Sequence, residues 1–449
     1  MIKKLANEYR KAGRKVFVTT STHMFVEEDT LVTENVDNIL KELETSGYVM
    51  AGAPCGEKIQ ALPKEVYEEV CKYADEVLVE ADGSKHLPLK FPNENEPVIY
   101  ENVEEIIVVC GLHGLGKKAG EVVHRAELAE TYLKIDKEDV IEPETMQKLV
   151  MKGYVEPLRK KYKDKVIKIE PNMANTMYER VIATLIKEEQ PIDLVKEEWF
   201  EPQPQLIVCG GGHVSKDLAT MAACLDFKIK VMDDRQEFAN KERFPMADEV
   251  IVDTFDHLEK YMEPNAYYVI VTREHKDDFT CVKQILNTPY RYLGMIGSRA
   301  KVSRTFEHLR ETGVSEEQIQ SIFAPIGLNI GAVTPAEIAV SILAQVIMEK
   351  NKKHSASVSR ELLQAKEKGV LCIIVGKTGS SPRGVGSMMF VTENRVYDSI
   401  GGGAVEFAAI EDAKSCDRVM MKEYDLTQRD KTGLGMICGG KNKVLFIPV

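Results

Sequence analysis

Residues 206–235 read LIVCGGGHVSKDLATMAACLDFKIKVMDDR, and the order of residue types in that stretch decides the fold. Leu206, Ile207, Val208 and Cys209 form an apolar run of buried-strand length. Gly210, Gly211 and Gly212 follow at once, then His213, Val214 and Ser215. Leu218, Met221, Ala222 and Leu225 recur at i, i+3, i+4 and i+7, one face of a helix. Phe227, Ile229 and Val231 then alternate as a second strand that ends in Asp233, Asp234 and Arg235. Strand, glycine turn, helix, strand and acid are the parts of a Rossmann-type nucleotide-binding unit. Gly210 permits the tight turn, and Gly212 lets the backbone approach a pyrophosphate. The helix N-terminus offers free N–H groups and partial positive charge. Asp233 stands 23 residues after Gly210, the place of a ribose-binding acid, or of one that orients a basic group where no ribose is present. Ser215 replaces the last small residue of the fingerprint. His213 reads equally as a proton donor or phosphate contact and as a solvated loop histidine.

Outward from this turn, more loops follow strand-like runs. Ile296-Gly297-Ser298-Arg299 combines backbone donors with a guanidinium, which suits an anion. Pro325 to Leu328 contains Gly327. Thr334-Pro335-Ala336-Glu337 is a capping box with proline at the first helical position and reads as ordinary helix initiation. Further on, an apolar run from Val370 to Val375 leads into a turn carrying Ser380, Ser381 and Arg383. A second turn holds Gly401, Gly402, Gly403 and Glu406, and a third holds Cys438, Gly439 and Gly440. These turns suggest a surface for an anionic, phosphate-bearing ligand; glycine-rich hairpins are the alternative.

Before the glycine turn lies another α/β region. Ile2, Leu5, Ala6, Tyr9 and Ala12 fall at helical spacing, and Gly13 ends that helix. Apolar runs at 15–20, 76–80 and 105–110 alternate with helical patterns, which implies a parallel sheet with ligands at strand ends. Opening such a unit with a helix is unusual. A proline-rich connector spans about 188–205; its Trp199 is expected to pack against a domain.

The chain has 449 residues and a formal net charge of -12, with 44% apolar residues. That composition supports real cores and about three domains, and it argues against a general nucleic-acid binder. No apolar run approaches the roughly 18 residues of a membrane span. No signal-peptide core opens the chain, so a cytoplasmic location is expected. Nine cysteines lie without a CxxC pair, as expected of free thiols in a reducing compartment.

Three sets of strings carry a resemblance. GSSPRGVG, SIGGGAVE and MICGG resemble the XdhC/CoxI domain. CGGGHVS, MDDRQEFAN, LGMIGSRAK and APIGLNIGAVTPAEIAVSILA resemble the Rossmann domain of the same family. VFVTTSTHMF, LVEADGSKHLPLKFPNENEPVI and GLHGLGKKAGEVVHRAEL resemble YqeC, a protein associated with selenium-dependent molybdenum hydroxylases. The fold class implied is α/β throughout: a P-loop-like parallel-sheet domain over 1–190, a Rossmann-like domain over 205–350 and a small α+β CoxI-like domain over 358–449.

The resemblance implies a maturation factor. It would bind a molybdopterin-type molybdenum cofactor, or its dinucleotide form, and support its modification, protection and insertion into a molybdenum hydroxylase of the xanthine dehydrogenase type. The glycine turns, Asp233, Arg299 and Arg383 would hold the cofactor between the Rossmann and CoxI-like domains. The expected partners are the hydroxylase apoenzyme and the proteins that make the cofactor. Neither nucleic acid nor membrane is expected, and a homodimer is left open. Two departures stand out. Where the family often has cysteine in its Gly-Gly-Cys-Val-Glu motif, this chain has Ala404, leaving Cys438 as either a sulfur-handling thiol or a buried one. YqeC-like chains open with a strand and a Gly-Lys-Thr phosphate loop, and the chain reads as beginning just after it: either the true start lies upstream or this domain has lost its phosphate grip. What remains for a nucleotide and Mg²⁺ is Thr19, Thr20, Asp82 and Lys85, with Asp82 as the metal candidate. His113 and His124 could face that site, although solvated or packed histidines are the default. The rival functions are an NAD(P)-dependent oxidoreductase, NTP-dependent nucleotidyl transfer by the N-terminal domain, and a scaffold for the hydroxylase.

Overall fold

Side chains of alternate residues leave opposite faces of a strand, and the strand before the glycine turn is buried on both. The computed structural model describes residues 1–200, 204–353, 358–379, 383–425 and 440–449. The chain divides into two units. Unit 1 is Met1–Leu194 with Asp417–Val419 and Ile447–Val449; unit 2 is Val195–Cys416 with Met420–Phe446.

Unit 1 opens with α1 (Ile2–Lys11), closed by Gly13 at φ +77°. Its longer strands are β1 (Val16–Thr20), β2 (Tyr48–Cys55), β3 (Glu76–Glu80), β4 (Glu105–Gly111) and β5 (Val166–Asn172). β1 pairs in parallel with β2 on one side and β3 on the other. β4 pairs in parallel with β5. The two groups are separate sheets: β3 ends the first, and β4 pairs with no described strand but β5.

Unit 2 holds β6 (Gln205–Cys209), β7 (Lys228–Asp233), β8 (Glu249–Val252), β9 (Ala266–Ile270) and β10 (Tyr290–Met295). They form one parallel sheet in the order β8-β7-β6-β9-β10. The order reverses between β6 and β9, and this switch point is where open α/β sheets bind ligands. Four helices cover the sheet: α2 (His213–Ala223), α3 (His275–Ile285), α4 (Arg299–Glu311) and α5 (Pro335–Lys353). Leu206 and Val208 pack with Leu218 and Ala222 of α2 and with Ile342 and Val346 of α5. Ile207 and Cys209 pack with Cys281 and Val282 of α3 and with Leu309 of α4. Glu337 Oε2 accepts from the N–H of Val333 at 2.7 Å and of Thr334 at 2.9 Å, so that motif is helix initiation.

The C-terminal part of unit 2 is a sheet of β11 (Gly369–Gly379), β12 (Met388–Thr392), β13 (Val396–Asp398), β14 (Met420–Asp425) and β15 (Gly440–Pro448), in the order β13-β12-β11-β15-β14. α6 (Gly403–Lys414) lays Val405, Ala409 and Ala413 on Cys372, Ile374 and Met389. β11 runs on past its apolar stretch through Gly376 and Lys377, where the residues read as a turn, and ends at Gly379, at φ +70°. In the connector, Phe200 is buried while Trp199 is half-exposed. The eight described cysteines are free thiols. Among the described residues no helix is long and apolar enough to cross a membrane.

Candidate functional site

At the glycine turn, Gly210 has φ +110°, and a Cβ there would lie 2.4 Å from the carbonyl oxygen of Val271. A Cβ on Gly211 would lie 2.2 Å from that of Phe238. Only glycine lets the neighbouring backbones approach so closely. At Gly212 a Cβ would meet nothing within 4 Å, so space stands open at the start of α2. His213 is exposed there, and Val214 packs into the core. Ser215 is fully buried and donates to the Gly210 carbonyl at 2.5 Å, locking the turn.

The ribose position is filled by the protein itself. Asp233 accepts from the Gly211 N–H at 2.7 Å and from Arg235 through N at 3.1 Å, Nε at 2.9 Å and Nη2 at 3.1 Å. Burial raises the Asp233 carboxyl, but these donors outweigh it and hold the group below the usual carboxylate range. Asp233 therefore orients a basic group and offers nothing to a ribose.

The Ser399–Gly403 turn is closed in a similar way. Gly401, Gly402 and Gly403 all have positive φ, and the alternate N–H groups of Ile400 and Gly402 converge on one carboxylate oxygen while that of Gly401 goes to Ser399 Oγ. The anion is the chain's own Glu406. Its Oε2 accepts from Ile400 N at 3.1 Å, from Gly402 N at 3.0 Å and from the Ser399 hydroxyl. Glu406 thus shapes the turn. Gly327, at φ +96°, donates to Gln345 at 2.8 Å, and a Cβ there would lie 2.4 Å from Ser341 Oγ on α5. Its role is close packing. Ser298 caps α4 by accepting from Lys301 N at 3.3 Å, and Gly297 sits against the Lys301 stem. Arg299 and Arg383 are exposed, and Gly440 begins β15. Ser380, Ser381, Cys438 and Gly439 lie outside the described residues.

In unit 1 the strand ends carry a charged cluster. Lys90, with 5% of its side chain exposed, donates to Glu96 at 2.9 Å, to the Gly83 carbonyl at 2.9 Å and to Asp82. Tyr154 donates to the other Asp82 oxygen at 2.5 Å, and Arg125 forks onto Glu96. Lys85 is exposed at φ +54° and takes no part. Thr20 is tied to the Glu80 carbonyl at 2.9 Å, while Thr19 Oγ1 is buried without a partner. Asp82 is thus held by a lysine and a tyrosine. Among the described residues, no group of three or more His, Cys, Asp or Glu side chains could hold a metal ion.

Below the cluster, a cavity of about 510 Å³ runs the length of β3 and β4 and reaches Met1, Ile2 and Leu5. Glu80 and His113 line it, each with a buried polar atom lacking a partner. Burial, and then Asp82, push the Glu80 carboxyl up. Burial lowers His124, with Lys90 and Arg125 adding to it.

The same lysine leaves its two carboxylates displaced in opposite directions. Asp82 is held up, first by burial. Glu96 is held down to about 2 from 4.5, first by its hydrogen bond from Arg125. The deeper group, 10% exposed against 19%, carries the larger desolvation cost. A folded pKa below the unfolded one means that the Glu96 contribution is present above about pH 4.5 and fades as pH falls toward 2. Melting temperatures of the wild type and Glu96→Gln should therefore differ most near neutral pH and converge in acid. A gap that widens on acidification contradicts this.

Three family models match the chain. Residues 206–346 match the XdhC Rossmann domain, residues 362–421 the XdhC and CoxI family, and residues 1–127 the YqeC protein. The chain joins a YqeC-like region to both parts of the XdhC/CoxI family. It is 37% identical over 157 residues to Escherichia coli (strain K12) "Uncharacterized protein YqeB", covering 33% of this chain and 28% of that protein. It is 29% identical over 155 residues to a probable xanthine dehydrogenase subunit of Bacillus subtilis (strain 168), covering 34% of this chain and 45% of that protein. A solved xanthine dehydrogenase from Bacillus halodurans aligns at 31% identity and TM-score 0.31, over 34% of this chain and 44% of that one. The chain thus spans less than half the length of each of these proteins.

Within unit 1, sequence reasoning found Asp82 but missed Lys90, Glu96, Arg125 and Tyr154. Only the acid at a strand end is a local signal; Tyr154 is 72 residues from Asp82. Within the XdhC Rossmann domain it missed Arg243, whose Nε donates to the Gly211 carbonyl at 2.9 Å.

Proposed function

We propose that this chain is a maturation factor for a molybdenum hydroxylase of the xanthine dehydrogenase type, and that unit 2 binds a molybdopterin-type cofactor on the way to that enzyme. The observation that carries the reading is the open backbone over Gly212 at the switch point of an XdhC-type Rossmann sheet. The residues fit the anionic end of such a group: free space at a helix N-terminus, the Arg243 guanidinium beside it, and the exposed Arg299. Gly212 and α2 would hold that end, and the turn shaped by Glu406 would lie against the pterin. The cofactor supplies metal chemistry to the hydroxylase that receives it. This chain's residues would bind it and orient its anionic end. That this hydroxylase is selenium-dependent is part of the same proposal, and the match to the YqeC protein supports it.

The test is reconstitution. Cofactor-free hydroxylase is given cofactor with and without this chain. A higher yield of active hydroxylase with the chain is expected, and an equal yield contradicts the reading. The oxidoreductase rival predicts hydride transfer with NAD(P)H, and none is expected.

A second reading concerns unit 1, and its cavity favours it. Among the described residues β3 and β4 each lack a strand partner on the cavity side, and buried backbone groups need partners. One more parallel strand there would join the two sheets and bring its following loop beside Asp82, as a nucleotide-binding domain requires. Phosphate or pyrophosphate release by a chain extended ahead of Met1, lost on Asp82→Ala, is the expected result. An extended chain releasing neither contradicts it.

A further inference from the structure

The glycine turn carries a charge arrangement that cofactor retention alone does not explain. Asp233 is 2% exposed, and four donors reach its two oxygens. A carboxylate has about four lone-pair sites, so none remains. In a dinucleotide site this acid accepts the ribose hydroxyls. Here Arg235 occupies that role from within the chain.

Arg243 is the opposite case. Its Nε is pinned to the Gly211 carbonyl at 2.9 Å, while its Nη2 is buried with no hydrogen-bond partner. Among the described residues no carboxylate pairs with it. Phe238 stands between the two arginines, with Arg235 Cζ 3.8 Å and Arg243 Cζ 5.4 Å from its ring centre. Its carbonyl packs on Gly211, which fixes the loop against the turn. A buried, orphaned donor on a charged group is rare enough to call for a partner. A guanidinium fork matches the oxygens of a phosphate.

We propose that Arg243 receives the terminal phosphate monoester of the ligand at this turn, and that the Arg235–Asp233 clamp excludes ligands held by a ribose diol. This rests on the cofactor reading and sharpens it. The form bound would be the pterin ending in a single phosphate, with no nucleoside recognised at Asp233.

The test is calorimetric titration of the full chain with inorganic phosphate and, separately, with NAD⁺. Phosphate should bind the wild type, and Arg243→Gln should weaken it by about tenfold or more, as expected for loss of a charged hydrogen bond. Arg243→Lys, which keeps the charge and loses the fork, should fall between. NAD⁺ should show no saturable binding to the wild type and should gain it in Arg235→Ala, which frees the Asp233 oxygens. Unchanged phosphate affinity in a folded Arg243→Gln overturns the assignment, as does NAD⁺ binding to the wild type more tightly than phosphate. Failure of Arg235→Ala to gain NAD⁺ affinity overturns the exclusion. The wild-type comparison requires no variant to fold. None of these titrations contains molybdopterin, so the cofactor reading can fail while this assignment stands, and the reverse.

Discussion

Gly210→Ala is expected to lower the stability of unit 2 by about 3–5 kcal/mol, combining backbone strain with overpacking. The residue sits at φ +110°, where an L side chain is strained, and the new methyl would lie 2.4 Å from the Val271 carbonyl oxygen and 3.1 Å from Thr272 Cα. Both contacts are backbone at the end of the central strand pair, where β9 is pinned by the Val271 N–H to the Cys209 carbonyl at 2.8 Å. No rotamer change relieves them. Gly212→Ala is the contrasting variant. With φ −65° and nothing within 4 Å of a Cβ, it should alter stability by no more than about 0.5 kcal/mol. Its methyl would nonetheless stand over the ligand approach. Urea unfolding followed by circular dichroism separates the two: a large loss at 210 and almost none at 212. Equal losses contradict the description of the turn.

The second large effect is expected at Lys90. Lys90→Ala removes the cation shared by Asp82 and Glu96, which are 10% and 19% exposed. Breaking a buried ion pair by taking one partner costs about 3–5 kcal/mol, because the other charge stays buried without compensation. Glu96 keeps the Arg125 fork, and Asp82 keeps only the Tyr154 hydroxyl. The uncompensated charge therefore falls on Asp82, and Asp82→Asn in the Lys90→Ala background should recover part of the loss. A double-mutant cycle over positions 82 and 90 reads this directly. A coupling near zero would place the loss in the packing of the lysine stem instead.

These two sites show how legible the molecule is in its sequence. The glycine turn was readable because its parts are local. An apolar strand, three glycines, a helical face and a second strand lie within 30 residues, and each has its own short-range signal. The strand at 76–80 and its terminal acid were readable for the same reason. What the acids do was not readable. Spacing left Asp233 either on a ribose or orienting a basic group, and only the folded backbone shows that Gly211 and Arg235 reach it. Glu406 looked like a ligand contact and serves the turn that precedes it. Lys85 lies next to the acidic strand end in sequence, yet Lys90, five residues further on, reaches the carboxylate because the chain turns back at Ser84–Leu87. Arg125 and Tyr154 come from elements that no local pattern links to Asp82. Long-range partners depend on packing, and packing is not written in periodicity.

The central claim is that unit 2 holds a molybdopterin-type cofactor at the open turn beside Gly212. The most direct measurement is mass spectrometry of what co-purifies, under anaerobic conditions, with the chain made in cells that synthesise the cofactor. The account predicts a molybdopterin species bound to the wild type and depleted from a folded Gly212→Ala variant. A chain that emerges carrying a pyridine nucleotide and no pterin would contradict it.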